Sequence, residues 1–432
     1  MLISFSIQNF GSIRDKQTLS FEADDSTHLE DYYVIKAGGM RLLKLALIYG
    51  ANASGKTTIL KALDFLRKLA LNPKSQKNET LDFQPFLFDD QTPHQSSILS
   101  IEFLQNEVRY FYEVEFTQQA ILREELYSYK TKKANVFKRT TDVEKQLSAI
   151  TFGSKIAISK VFEKTLEANT LANNTVLGGF LKTNVEFAEL QQATIWFKFS
   201  LLPIILPNLA LHQIPANLQS GNTKKIVLQI LKAADLRISD IAEKKNENLS
   251  TDEARNLIST VMKGLQYSDT QIATFNVINQ KKLEFEHTVQ NKRYSLPLEL
   301  ESQGTQRYYG SALLLCLLIT KTSIINLDEL ESSLHPDLYI HFLLTFLVNA
   351  KSSQLIATTH NREILNNKDL FRNDAIWFTQ KNEFGATELY SLADFDTSVV
   401  RDTTNVYNAY KVGKLGGVPH LGDYYIDFDQ EE

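Results

Sequence analysis

Gly50-Ala51-Asn52-Ala53-Ser54-Gly55-Lys56-Thr57 decides how this sequence folds. The eight residues satisfy G-x-x-x-x-G-K-[ST]; they follow an apolar run at 42–50 and precede a segment, 57–69, with helical periodicity. A strand, a glycine-rich loop and a helix in that order make a phosphate-binding turn. Glycines let backbone N–H groups surround phosphate oxygens, and the helix N-terminus adds partial positive charge. In this motif the lysine reaches the β- and γ-phosphates and the hydroxyl after it holds Mg²⁺. Gly50, Asn52, Ala53, Ser54, Gly55, Lys56, Thr57 and Thr58 are therefore the candidate nucleotide contacts. A coincidental Gly-Lys turn would lack the flanking strand and helix.

Working outward, Ile324, Ile325 and Leu327 lead into the adjacent carboxylates Asp328 and Glu329. A buried strand with this tip can orient a metal's water shell opposite Thr57 with its first acid. The second, facing the other way, can act as general base on an attacking water. Taken alone, such a strand end is equally a solvated acidic turn; the phosphate loop upstream favours the metal reading. Just before this strand, Glu301-Ser302-Gln303-Gly304-Thr305-Gln306 opens a helix. By itself it reads as an N-cap, with Ser302 accepting from the first turn and Gly304 relieving crowding. In sequence order with the other motifs it becomes a phosphate-sensing helix start. Thr358-Thr359-His360 ends a further apolar run. His360 lies 32 residues beyond Asp328, the length of one βαβ unit, which puts it on a neighbouring strand, within reach of a γ-phosphate or the attacking water.

The chain has 432 residues, room for two or three domains or for one core with a large insertion. Its 43% hydrophobic and 22% charged residues are those of an ordinary globular chain. One cysteine cannot form an intramolecular disulfide, and the opening MLISFSIQNF lacks the pattern of a signal peptide, which points to a reducing, cytoplasmic setting. No apolar run approaches the roughly 18 residues that span a bilayer, so no membrane partner is expected. The 46 Lys and Arg against 51 Asp and Glu give a net charge of −5, so a nucleic acid would have to meet a local patch.

Ile3, Phe5 and Ile7 alternate with Ser4, Ser6 and Gln8, and a second run at 18–21 completes a β-hairpin. Short strands are expected from 78 to 130, where Tyr110, Tyr112, Val114 and Phe116 alternate, forming an antiparallel β-layer. From about 140 to 265 the pattern reads as mainly helical, 251–265 included, followed by a strand pair at 274–288. Strands at 354–360, 375–380 and 387–392 alternate with helices, as in a mainly parallel sheet. Because 278 residues separate Gly50 from Asp328, against roughly 30 in a simple βαβ unit, something large is inserted between them.

Order and spacing together resemble the ABC-type ATPase heads of the SMC and RecF class, and Asn52 within the loop favours this class over transporters. More narrowly, the chain is similar to the AAA-15 or OLD-type ATPases of bacterial anti-phage and abortive-infection systems, the group of the RloA, AbiL, PARIS and Gabija ATPases. The residues that carry the likeness are Ile7-Gln8-Asn9-Phe10, Gln84-Pro85-Phe86, Glu301-Ser302-x-Gly304-Thr305, Asp328-Glu329-x-Glu331-Ser332-Ser333-Leu334-His335-Pro336, Thr358-Thr359-His360-Asn361, Ile376-Trp377-Phe378 and Gly413-Lys414-Leu415-Gly416-Gly417-Val418-Pro419.

The resemblance implies an α/β fold: a P-loop NTPase with an ABC-ATPase head, an antiparallel β-layer and a helical insertion. Its divisions would be an N-terminal ATPase lobe at 1–135, the mainly helical insertion at 136–290 and a C-terminal ATPase lobe at 291–432. It implies hydrolysis of ATP with Mg²⁺ by an ATP-gated homodimer or higher oligomer that controls a separately encoded effector, a nuclease, with DNA or a phage component as a further partner. Residue by residue, Lys56 and Thr57 would hold phosphate and Mg²⁺, Asp328 the metal, Glu329 the water, His360 the γ-phosphate and Gln84 the metal or water. Ser302, Gly304 and Thr305 would act on the nucleotide of the second subunit. Two departures point to slow or partner-triggered hydrolysis: Thr305 stands where many heads have glycine, and the turn after Glu329 lacks the aspartate of transporter-type heads. The competing readings are a RecF-like DNA repair ATPase with steeply salt-dependent duplex binding, and an ATP-clamped scaffold with little turnover.

Other features read as structural. Cys316 sits in an apolar helix as core packing. His335 and His341 have no third ligand at zinc spacing. The basic stretch Lys130, Lys132, Lys133, Lys138 and Arg139 is a solvated turn or a contact for a phosphate backbone. The segment 413–419 is a surface turn or a docking element for a partner.

Overall fold

The amino-terminal alternation folds as expected. In the computed structural model β1 (Leu2–Gln8) pairs antiparallel with β2 (Gln17–Ser20), with Phe5 opposite Leu19. The structure describes residues 1–130, 132–154, 156, 158–207, 221–234, 236–245, 281–395 and 405–419. These divide into two units, one of 1–207, 321–330 and 347–432, the other of 208–320 and 331–346.

In the first unit the apolar run before the phosphate loop is interrupted at Lys44, giving β3 (Val34–Ala37) paired with β4 (Met40–Leu43), then β5 (Leu45–Gly50). Lys44 is buried and donates from Nζ to Leu347 O at 3.0 Å; burial pushes its pKa down. Every residue of β5 is buried, as expected of a nearly continuous apolar strand covered on both faces. The helix Lys56–Leu71 follows, with Ile59, Leu60, Leu63 and Leu66 on its buried side.

The β-layer consists of β6 (Ser97–Gln105), β7 (Val108–Phe116), β8 (Ile121–Tyr129), β9 (Lys133–Asp142) and β10 (Leu147–Phe152), in the order β10-β9-β8-β7-β6-β1-β2. The helical reading from 140 therefore fails over its first residues. Thr140, Thr141, Thr151 and Ile150 are β-branched, and pairing Thr140 with Arg123 and Ile150 with Arg139 continues the sheet, which outweighs a weak local helical pattern. Helices do follow at Lys160–Asn169, Val176–Leu181, Ala188–Ile195 and Gly221–Ala233. The helix expected at 251–265 and the first half of the strand pair expected at 274–288 lie outside the described residues.

The second sheet is formed by β5 with β14 (Ile324–Leu327), β15 (Gln354–Thr358), β16 (Ile376–Lys381) and β17 (Thr387–Ser391), in the order β14-β15-β5-β16-β17. Pairing is parallel except for the edge strand β17. The outer edge of β14 is covered by the chain at 201–205, where Leu202 N donates to Ile324 O at 3.0 Å and Ile205 N to Asn326 O at 2.8 Å. Gln354, fully buried, joins the two sheets: its Oε1 accepts from Leu2 N at 2.6 Å, and its Nε2 donates to Leu2 O and Leu43 O. One large apolar core runs through Phe5, Ile48, Leu63, Leu99 and Ile356, and a smaller cluster holds Ile3, Leu42 and Leu104.

The second unit, described by itself, holds an antiparallel sheet of β11 (Ile238–Lys245), β12 (Lys281–Val289) and β13 (Lys292–Pro297), with β12 in the middle. Its helix Gln303–Thr320 packs Tyr309 edge-on against Phe285 at 5.1 Å and joins Tyr308 Oη to His341 Nδ1 at 2.5 Å. Cys316 is buried in this helix, as expected of a core thiol.

Candidate functional site

The parallel register brings three strand ends together. Gly50 ends β5 opposite Thr379, Thr358 ends β15 opposite Ile48, and Leu327 ends β14 opposite Ala357. The strand tipped by His360 thus lies between the acidic strand and the loop strand, at the carboxyl edge where α/β sheets bind ligands.

Gly50 has no room for a side chain: a Cβ there would overlap Thr379 Oγ1 and lie 2.6 Å from Thr379 O. Gly55 takes φ +107, a conformation that L side chains rarely adopt. Ala53 turns at φ +61. Lys56 is 7% exposed and donates from Nζ to Gly50 O at 2.9 Å and Ala51 O at 3.0 Å, so its ammonium lies inside the loop. Asn52 and Ala53 are exposed at the tip. Hydroxyls brace the loop from below. Ser54 Oγ meets Thr379 Oγ1 at 2.6 Å, Thr387 Oγ1 donates to Ser54 O at 2.8 Å, and Ser12 Oγ sits 2.8 Å from Thr387 Oγ1 and 3.1 Å from Thr58 Oγ1. Ser12, in the turn after β1, and Thr379 and Thr387, in β16 and β17, carry no sequence signal, because they arrive from segments distant in the chain.

Thr57 Oγ1 donates to both carboxylate oxygens of Asp328 at 3.1 Å, and Asp328 is 5% exposed. Thr358 Oγ1 donates to Asp328 Oδ1 at 2.6 Å and accepts from Glu329 N at 2.8 Å. Glu329 takes φ +49, an uncommon backbone conformation for a residue other than glycine. One hydroxyl and one carboxylate fit Mg²⁺, which keeps waters and phosphate oxygens among its ligands rather than an all-protein cage. When bound, that ion would supply charge neutralisation on the phosphates.

His360 is exposed beyond buried Thr359, whose N–H donates to Ile48 O at 3.1 Å. Gln84 is exposed, and its carbonyl accepts from Gly11 N at 2.7 Å. It lines a cavity of about 450 Å³ together with Thr58, Lys61 and the aromatic rings of Phe10, Phe65 and Phe83. Ser302, Gly304 and Thr305 belong to the second unit. Ser302 Oγ accepts from Thr305 N at 3.1 Å, an N-cap contact, yet a Cβ on Gly304 would be no closer than 3.8 Å to any neighbour. Crowding does not explain that glycine.

The basic stretch is partly paired: Lys130 with Glu189 at 3.1 Å and Lys138 with Glu125 at 3.4 Å, while Arg139 is 1% exposed and spans four acceptors from Ile121 to Ala172. The segment 413–419 is no free surface turn, since Leu415 is buried and Gly417 packs on Gly50. Among the described residues no helix is long and apolar enough to cross a membrane.

A family model described as "AAA domain, putative AbiEii toxin, Type IV TA system" matches residues 45–366. The chain belongs to this family. Its fold is that of a P-loop NTPase. Among solved structures, this AAA chain is similar to the SMC head domain from Thermotoga maritima, at 14% identity and TM-score 0.40, covering 90% of this chain and 98% of that one. It is also similar to an SMC head bound to the C-winged helix domain of ScpA, at 12% identity and TM-score 0.44, with 90% and 97% covered. No curated protein matches this AAA chain.

Proposed function

We propose that this chain binds and hydrolyses ATP as the ATPase subunit of a bacterial anti-phage, abortive-infection system, dimerising with ATP to control a separately encoded effector. The carrying observation is the Thr57–Asp328 pair beside a glycine-lined loop, with Glu329 at the same strand end in a positive-φ conformation. In this reading Lys56 and the loop N–H groups hold the phosphates, and Thr57 and Asp328 hold Mg²⁺. Glu329 takes a proton from the attacking water, and His360 bonds the γ-phosphate. Gln84 contacts the metal or the water. Ser302, Gly304 and Thr305 complete the pocket of a second copy. The family's description names a toxin–antitoxin system, in keeping with action through a second polypeptide. The pairing of Lys130 and Lys138 with glutamates and the burial of Arg139 favour this reading over direct DNA binding.

Phosphate release from the purified chain with MgATP tests the enzymatic half. Turnover by the unaltered protein and its loss in Glu329→Gln, with ATP binding retained, is the expected result. Equal release by both would leave a scaffold that binds nucleotide without using this base. Deleting the adjacent genes tests the two-component half, because a phage-resistance phenotype that persists contradicts it.

A further inference from the structure

Residues 405–419 lie beyond the matched family region, yet they reach its most sensitive backbone. The helix Val406–Lys411 presents Tyr410, 3% exposed, whose ring packs against Tyr49 at 5.8 Å and Phe378 at 5.1 Å. These residues immediately precede Gly50 and Thr379. The Tyr410 phenol donates to Gly417 O at 3.0 Å, and a Cβ on Gly417 would lie 3.5 Å from the Tyr410 ring. Gly417 takes φ +65, and a Cβ there would lie 3.3 Å from Thr379 O and 3.5 Å from Gly50 Cα. Gly416 is equally constrained, since a Cβ would overlap Tyr390 Oη and Gln380 Oε1. Arg362, two residues after His360, lays its guanidinium over the Tyr410 ring, 5.1 Å from its centre.

We infer that Tyr410 and Gly417 form a strut that positions the phosphate loop, and that Arg362 ties this strut to the segment carrying His360. The inference rests on the nucleotide-binding reading of the loop. Hydroxyls of Ser54, Thr379 and Thr387 hold the loop, and the strut packs on Gly50. A loop held by both sets of contacts presents its N–H groups without further ordering, so the strut acts on nucleotide affinity more than on the chemical step. Tyr410 is a positioning residue: it touches Tyr49 and Gly417, the neighbours of Gly50, not the reacting atoms.

The test uses the full chain with Tyr410→Phe, which keeps the ring and removes the phenol, and Arg362→Gln, which keeps a polar side chain. Hydrogen exchange of the 50–57 amides reads the loop directly, whether or not ATP binds. The expected result is at least five-fold faster exchange there in Tyr410→Phe, with a melting temperature close to that of the unaltered chain. KM for ATP should rise at least five-fold in the same variant, with kcat within two-fold. Arg362→Gln should move both quantities in the same direction by less. Unchanged exchange at 50–57 in both variants overturns the strut. Faster exchange in a chain that binds no ATP leaves the strut standing and removes the nucleotide reading instead.

Discussion

Thr358 Oγ1 stands 2.6 Å from Asp328 Oδ1 as donor and 2.8 Å from the Glu329 N–H as acceptor, so one buried hydroxyl on β15 holds both acids of the neighbouring strand. Thr358→Val keeps the shape and removes both bonds. The carboxylate then loses its tightest partner and the positive-φ turn at Glu329 its anchor. Loss of such a supporting contact lowers activity by about 10–100-fold and stability by about 1–3 kcal/mol. Steady-state phosphate release and thermal melting of the variant check this; turnover within two-fold of the unaltered chain would show that Thr358 is incidental.

Gly304 offers a separation of stability from function. Because 3.8 Å of clearance surrounds a Cβ at this position, Gly304→Ala should melt within a few degrees of the unaltered protein, or slightly higher, since alanine favours a helix by about 1 kcal/mol over glycine. If the residue closes on a nucleotide held by another copy, turnover falls by at least ten-fold all the same. Normal turnover in this variant would remove the signature role.

Glu124 makes stability depend on pH. Full burial raises its pKa to about 7, despite the opposing pull of Arg139 and hydrogen bonds from Val176 N–H and Tyr112 Oη. The folded state therefore holds this proton more tightly than the unfolded state, whose value is 4.5. The stabilisation is full below 4.5 and is lost as pH rises towards 7, by on the order of 1–3 kcal/mol. Melting curves between pH 4.5 and 8 should show this fall in the unaltered chain and a flatter profile in Glu124→Gln. Parallel profiles would contradict the assignment.

What was legible in the sequence is what lies close together in it. The phosphate loop, the acidic strand end and the histidine each declare themselves within ten residues, and the parallel register then brings them to one edge. The braces do not. Ser12 meets Thr387 across 375 positions, and Thr379 meets Ser54 across 325; hydroxyls of this kind are too common to stand out. The end of β9 and the whole of β10 look helical locally because the pairing of β9 with β8 and of β10 with β9, not local periodicity, decides them. The segment 413–419 looked like an exposed turn because its glycines suit one; only Tyr410 and Gly50 show that the same glycines permit close packing.

The central claim is that two copies close around ATP. Light scattering of Glu329→Gln with and without MgATP measures it most directly, since this variant would hold the nucleotide without consuming it. A mass that doubles on adding MgATP, and does not in Lys56→Ala, is the expected result. An unchanged mass while bound ATP is measured on the same sample would contradict it.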